Sequence, residues 1–190
     1  MILHLIRHGK TIANEKKLYC GATDLSVSET GIQELLALKE QLDYPTASLY
    51  VVSGLLRTVE TANLLFNQPE LYPITQLQEI NFGEFEMRGY EELRLDLSYQ
   101  NWIADMERVR PLGGECKQTF IKRVMEGLQE VEKICQLNST KNVLIVTHGG
   151  VIATIMENQF PKQKDFYQWQ PACGRGYTLH LGENKCYKHI

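Results

Sequence analysis

Apolar positions fall into two rhythms along this chain. Short runs at residues 2–6, 48–52, 74–77, 142–147 and 177–181 read as strands. Between them, apolar residues recur every three or four positions. Ile32, Leu35, Leu36, Leu38 and Leu42 predict a helix that opens near Ser28. Phe120, Val124, Leu128, Val131 and Cys135 mark a long amphipathic helix. Residues 58–66 form a third, and residues 151–156 begin another. The stretch 90–106 is helical in composition but less regular. Strands alternating with helices predict an α/β fold around a mostly parallel sheet. Such sheets bind ligands beyond the carboxyl ends of their strands.

Length and charge narrow the picture. The 190 residues suit a single domain spanning 1–190. A net charge of −3 with no basic stripe disfavours nucleic acid or an anionic membrane as partner. No apolar run approaches the roughly 18 residues of a membrane span. The N-terminal apolar run is short, lacks a basic leader and reads as a strand, not a signal peptide. Five scattered cysteines, with no CxxC pair, read as reduced thiols of a cytoplasmic protein. The pattern sets no oligomeric state.

The candidate chemistry sits at strand ends. The first strand runs into Arg7-His8-Gly9, and the fourth into Thr147-His148-Gly149-Gly150. The second ends in Ser53-Gly54-Leu55-Leu56-Arg57. Arginine forks two N–H donors onto phosphate oxygens, so Arg7 and Arg57 suit a phosphate ester. A neutral His8 can attack phosphorus. Nearby guanidiniums lower its pKa and keep it neutral. His148 can donate to an equatorial oxygen, and the Gly149 and Gly150 amides at a helix start point the same way. Asn14 and Thr11 add neutral donors. A proton donor for the leaving oxygen is needed, and a carboxyl beside phosphate has its pKa raised. Glu79, Glu84 and Glu86 follow the third strand, and spacing alone does not separate them. The aromatic residues Phe82, Phe85, Tyr90, Tyr99 and Trp102 read mainly as core. His4, His180 and His189 read as structural. No ligand spacing marks a metal site, and none is expected, because the arginines already neutralise the phosphate.

Leu5-Ile6-Arg7-His8-Gly9-Lys10-Thr11 with Asn14, Gly21 to Ser26, Ser53 to Thr58, Glu79 with Phe82 to Glu86, Gly113-Gly114-Glu115 and Thr147 to Gly150 follow in order. Together they resemble the signature blocks of the histidine phosphatase superfamily (phosphoglycerate mutase-like). The resemblance implies a three-layer α/β/α sandwich and a phosphohistidine intermediate, without cofactor. It favours Glu79 as the acid, beside His8, His148, Arg7 and Arg57. Three positions depart from the family's usual residues. Lys10 replaces a common Glu and adds charge at the rim, Gly54 replaces a common Pro and loosens its turn, and Cys116 replaces a serine. The superfamily includes phosphatases and mutases. Its mutases carry longer stretches before the second histidine and an extended tail, so hydrolysis is expected here. Residues 82–90 with Glu92-Leu93 are similar to α-ribazole phosphatases, which remove the 5′-phosphate of α-ribazole phosphate in cobalamin nucleotide loop assembly. Met87 stands where many relatives have Gly. Thr11, Thr23, Phe82, Phe85 and Tyr90 are then candidate pocket residues for a small-molecule phosphate ester. A broad sugar or nucleotide phosphatase, a phosphoglycerate mutase and a non-catalytic phosphate-binding module are the alternatives.

Overall fold

A computed structural model describes residues 1–182 and 185–190. The strands are β1 (Ile2–Arg7), β2 (Leu49–Val52), β3 (Leu71–Pro73), β4 (Asn142–Thr147), β5 (Gly176–His180) and β6 (Cys186–His189). They form one sheet in the order β3-β2-β4-β1-β5-β6. The four strands β3, β2, β4 and β1 run parallel, whereas β5 and β6 add antiparallel pairings at one edge.

Two-residue alternation in the central strands sends side chains to both faces. Leu3, Leu5, Val143 and Ile145 join one core, with Phe120, Val124, Leu128 and Val131 of α6 (Lys117–Leu137) and Ile152 and Ile155 of α7 (Gly149–Gln159). Ile6, Leu144 and Val146 join the other, with Leu35 of α2 (Glu29–Gln41) and Ala62 and Leu65 of α3 (Leu56–Phe66). Helices thus cover both faces, as the three-layer expectation requires. Ser28 opens α2 as expected: its hydroxyl accepts the Gly31 amide at 3.1 Å. A third cluster of Phe85, Leu93, Tyr99 and Trp102 lies apart from the sheet.

Three expectations change. Residues 74–77 are not a strand. Thr75–Leu77 is a 3-10 turn, and the edge strand is Leu71–Pro73. Buried Ile74 and Leu77 are apolar because they pack against the core, not because they pair. The stretch 90–106 breaks into α4 (Tyr90–Leu93) and α5 (Leu97–Ala104). Asp96 makes the break, accepting the Ser98 amide at 2.9 Å as an N-cap. The β6 strand was not anticipated, since its Cys-Tyr-Lys-His sequence is largely exposed and carries no apolar run. No described helix is long and apolar enough to cross a membrane.

Candidate active site

Strand register builds the site. β1 and β4 are parallel neighbours with Arg7 opposite Thr147, so the next residues, His8 and His148, emerge side by side. Their ring centroids lie 5.1 Å apart with planes at 62°. Both rings are buried. β2 pairs Val52 with Val146 and delivers Ser53 to the same end of the sheet.

Hydrogen bonds distinguish the rings. His8 Nδ1 lies 2.7 Å from the Gly9 carbonyl. A carbonyl only accepts, so Nδ1 carries the hydrogen and Nε2 of the neutral ring keeps its lone pair. Burial, then Arg57 and Arg7, holds the His8 pKa well below 6.5, against the opposing pull of the Gly9 carbonyl. His148 Nε2 lies 2.8 Å from Ser53 Oγ. Its pKa is also well below 6.5, through burial and then His8, Arg57 and Arg7. His148 Nδ1 and Arg7 Nε are buried with no partner among the described residues. Buried polar nitrogens without partners are rare, and two beside one pair of imidazoles suit an anion.

The arginines are held differently. Arg7 Nη1 donates to the Pro171 carbonyl at 2.9 Å. Arg57, from the first turn of α3, is fully buried and donates to the Thr23 and Gly21 carbonyls at 2.8 and 2.7 Å. Arg57 therefore braces the 20–24 loop as well as charging the cradle. Gly149 opens α7 against Arg7; a Cβ there would lie 3.2 Å from the guanidinium carbon. The Gly150 amide is engaged elsewhere, donating to Glu79 Oε2 at 2.8 Å.

The three carboxylates separate cleanly. Glu79 borders a cavity of about 580 Å³ together with Arg7, Asn14 and Gly150. Its second oxygen accepts the Ile80 amide at 3.0 Å. Glu86 accepts from the Gly21, Ala22, Thr23 and Phe82 amides and the Thr23 hydroxyl. It is a loop anchor. Glu84 is exposed, and among the described residues its carboxylate accepts only the Leu112 amide, at 3.3 Å. Arg123 of α6 positions the Glu79 loop, and no sequence reasoning singled it out. It grips Glu115 at 2.8 and 2.7 Å and donates to the Gln76, Gln78 and Glu79 carbonyls. Its signal, a lone arginine on an amphipathic helix, is too common to read.

Placement of the candidate pocket residues is mixed. Phe82 lines the cavity, whereas Thr11, Thr23, Phe85 and Tyr90 do not. Thr11 is buried, and its hydroxyl is engaged with Asn14 in the capping box of α1 (Ile12–Glu15). Asn14 Oδ1 accepts that bond, which leaves its NH2 end as the donor. Thr23 binds Glu86, Phe85 is core, and Tyr90 is 60% exposed. The remaining wall comes from residues without an obvious pattern, notably Tyr19, Trp102, Phe166, Tyr167 and Gln170. Trp102 thus serves both core and wall. Another hollow, of about 610 Å³ beside Leu42, Arg175 and His189, holds none of the site groups.

Two departures acquire a geometry. Lys10 pairs with Glu34, so its charge is offset at the rim. Gly54 has φ +89°, which proline, fixed near −65°, cannot adopt. Met87 also has positive φ, +61°, a region that favours the Gly seen in many relatives.

Paired imidazoles, two arginines and a cavity-facing carboxyl suit phosphoryl transfer. Among the described residues, no three His, Cys, Asp or Glu side chains group to hold a metal ion. The profile of the histidine phosphatase superfamily (branch 1) matches residues 3–182, and the chain belongs to that family. Its relatives include the adenosylcobalamin/α-ribazole phosphatase of Escherichia coli K12, 31% identical over 160 residues, 82% of this chain and 77% of the relative. A 2,3-bisphosphoglycerate-dependent phosphoglycerate mutase 2 of Gloeobacter violaceus is 27% identical over 82% of this chain and 74% of its own length. Among solved structures, a putative α-ribazole-5′-P phosphatase from Escherichia coli superposes with a TM-score of 0.86 at 26% identity. That match covers 99% of this chain and 94% of the other.

Proposed function

We propose that this phosphatase hydrolyses α-ribazole 5′-phosphate through a phosphohistidine on His8. One observation carries the mechanism: the Gly9 carbonyl holds the Nδ1 hydrogen, so His8 can offer a bare Nε2 to phosphorus, with the His148 ring centroid 5.1 Å from its own. Arg7, Arg57, His148, Asn14 and Gly149 receive the phosphoryl oxygens, where charge spreads in a loose transition state. The Nε2 lone pair forms the N–P bond as the bond from phosphorus to the leaving oxygen breaks. Glu79 gives its proton to that oxygen. A water then attacks the phosphohistidine and yields its proton to Glu79, releasing inorganic phosphate and neutral His8.

The substrate rests on two supports. Relatives named as α-ribazole phosphatases align over most of the chain. The cavity beside Glu79 is walled by Tyr19, Phe82, Trp102, Phe166 and Tyr167, flat faces suited to an aromatic base. Trp102 adds a buried indole N–H without an acceptor among the described residues. Steady-state kinetics on α-ribazole 5′-phosphate, phosphoserine, 3-phosphoglycerate and p-nitrophenyl phosphate test the assignment. A kcat/KM for α-ribazole 5′-phosphate at least tenfold above the others is expected. Equal values across the set would replace it with a broad-specificity phosphatase. Interconversion of phosphoglycerates with little phosphate release would make the chain a mutase, and no turnover a binding module.

A further inference from the structure

The second histidine poses a problem that the first does not. A neutral imidazole has one N–H, and in His148 it can sit on either nitrogen. On Nε2 it would bond to Ser53 and leave a bare lone pair at Nδ1, the wrong group to meet an anionic oxygen. On Nδ1 it would be a free donor. The hydroxyls around Ser53 decide between these.

Ser53 is fully buried at the end of β2. Its Oγ lies 2.8 Å from His148 Nε2 and 3.2 Å from Thr58 Oγ1. The Thr58 hydroxyl donates to the Leu55 carbonyl at 2.7 Å, which commits its only hydrogen. The Leu55 amide approaches Ser53 Oγ at 3.4 Å and also donates. No neighbour therefore needs the Ser53 oxygen to accept from His148. Two acceptors compete for the Ser53 hydrogen, and imidazole nitrogen is both the nearer and the stronger base.

We propose that Ser53 is the positioning residue for His148, donating to Nε2 and so fixing the hydrogen on Nδ1 as a donor for the phosphoryl group. This accounts for the buried Nδ1 without a partner among the described residues. Both imidazoles then carry their hydrogen on Nδ1, yet they present opposite faces. His8 buries its N–H against Gly9 and offers a lone pair; His148 buries its lone pair against Ser53 and offers an N–H. Sequence order alone does not reveal this division, because it depends on which end of each ring meets a partner: the adjacent Gly9 carbonyl for His8, and the hydroxyl of Ser53 just past β2 for His148. The inference rests on the reading that His148 serves the phosphoryl group, and its test is separable from that reading.

Nitrogen-15 NMR of the ligand-free, histidine-labelled protein reports the tautomer directly, with the His148 signals identified by their loss in His148→Gln. The expected result is a protonated Nδ1 and a bare Nε2 in the wild type, and a mixed or reversed tautomer in Ser53→Ala. The Ala variant is expected to lose about tenfold to a hundredfold in kcat/KM, less than the hundredfold to thousandfold for deleting an oxyanion donor outright. Ser53→Thr, which keeps the hydroxyl, is expected to restore the tautomer and most of the rate. A wild-type hydrogen on Nε2, or an unchanged tautomer in Ser53→Ala, would overturn the assignment even if His8 is still found phosphorylated. The expected tautomers with unchanged kcat/KM in the Ala variant would overturn its catalytic meaning.

Discussion

Replacing Glu86 by Ala separates an anchor from an acid. Five donors converge on this carboxylate: the amides of Gly21, Ala22, Thr23 and Phe82 and the Thr23 hydroxyl, at 2.6–3.2 Å. A hydrogen bond to a charged group contributes about 1.5–3 kcal/mol net. The sum over all five is a ceiling, because the exposed Ala22 amide finds water once released. Counting two unreplaced bonds, at the buried Gly21 and half-buried Phe82, gives a loss of about 3–6 kcal/mol. With a urea m-value of about 2 kcal/mol/M, the unfolding midpoint falls by roughly 1.5–3 M. Activity should fall too, but indirectly, because the 21–23 loop supplies the carbonyls that hold Arg57. That loss should be equal for good and poor leaving groups. Urea titration, paired with turnover of aryl and alkyl phosphates, reads both quantities. Stability within about 1 kcal/mol of wild type, combined with selective loss of alkyl phosphate turnover, would refute the reasoning and make Glu86 the acid.

Other outcomes follow from the same geometry. Glu79→Gln should spare phosphate affinity and slow alkyl phosphates by about a hundredfold or more while affecting p-nitrophenyl phosphate least; equal effects on both would remove Glu79 as proton donor. His8 and His148 resist protonation in the fold, whereas unfolded histidines protonate near pH 6.5. Their contribution to stability is therefore intact above pH 6.5 and is lost as pH falls from there toward the depressed folded values, at a ceiling of about 1.4 kcal/mol per ring per pH unit. His8→Gln should flatten the fall in urea stability between pH 7.5 and 5.5, and an unchanged slope would contradict the buried neutral pair. Because Arg7 and Arg57 supply the positive charge, activity should survive EDTA; loss restored by added metal would contradict this.

The parts of the site read from the sequence are those where chemistry coincides with a strand end. His8 and His148 follow long apolar runs, and parallel pairing of those runs is enough to bring them together. Arg7 shares that logic, whereas Arg57 follows the β2 end through a turn into the first turn of α3. The central strands were legible because burial on both faces makes them continuously apolar. The edges were not: β6 is exposed, and the three-residue β3 ends at Pro73, so the apolar pair Ile74 and Leu77 drew the strand assignment instead. The roles of Glu86, Arg123 and Ser53 depend on partners that are remote in sequence, 65, 44 and 95 residues away. No local pattern encodes those contacts. The cavity wall escaped for the same reason, since Tyr19 and Gln170 come from loops at opposite ends of the chain.

Trapping the reaction intermediate tests the central claim most directly. The enzyme is mixed with excess substrate, quenched in base within the first turnovers, digested, and mapped by mass spectrometry. A phosphoryl group on His8, labile to acid and missing from His8→Ala, is the predicted result. Phosphate release with no phosphorylated histidine at any quench time, or with the label on His148, would contradict it.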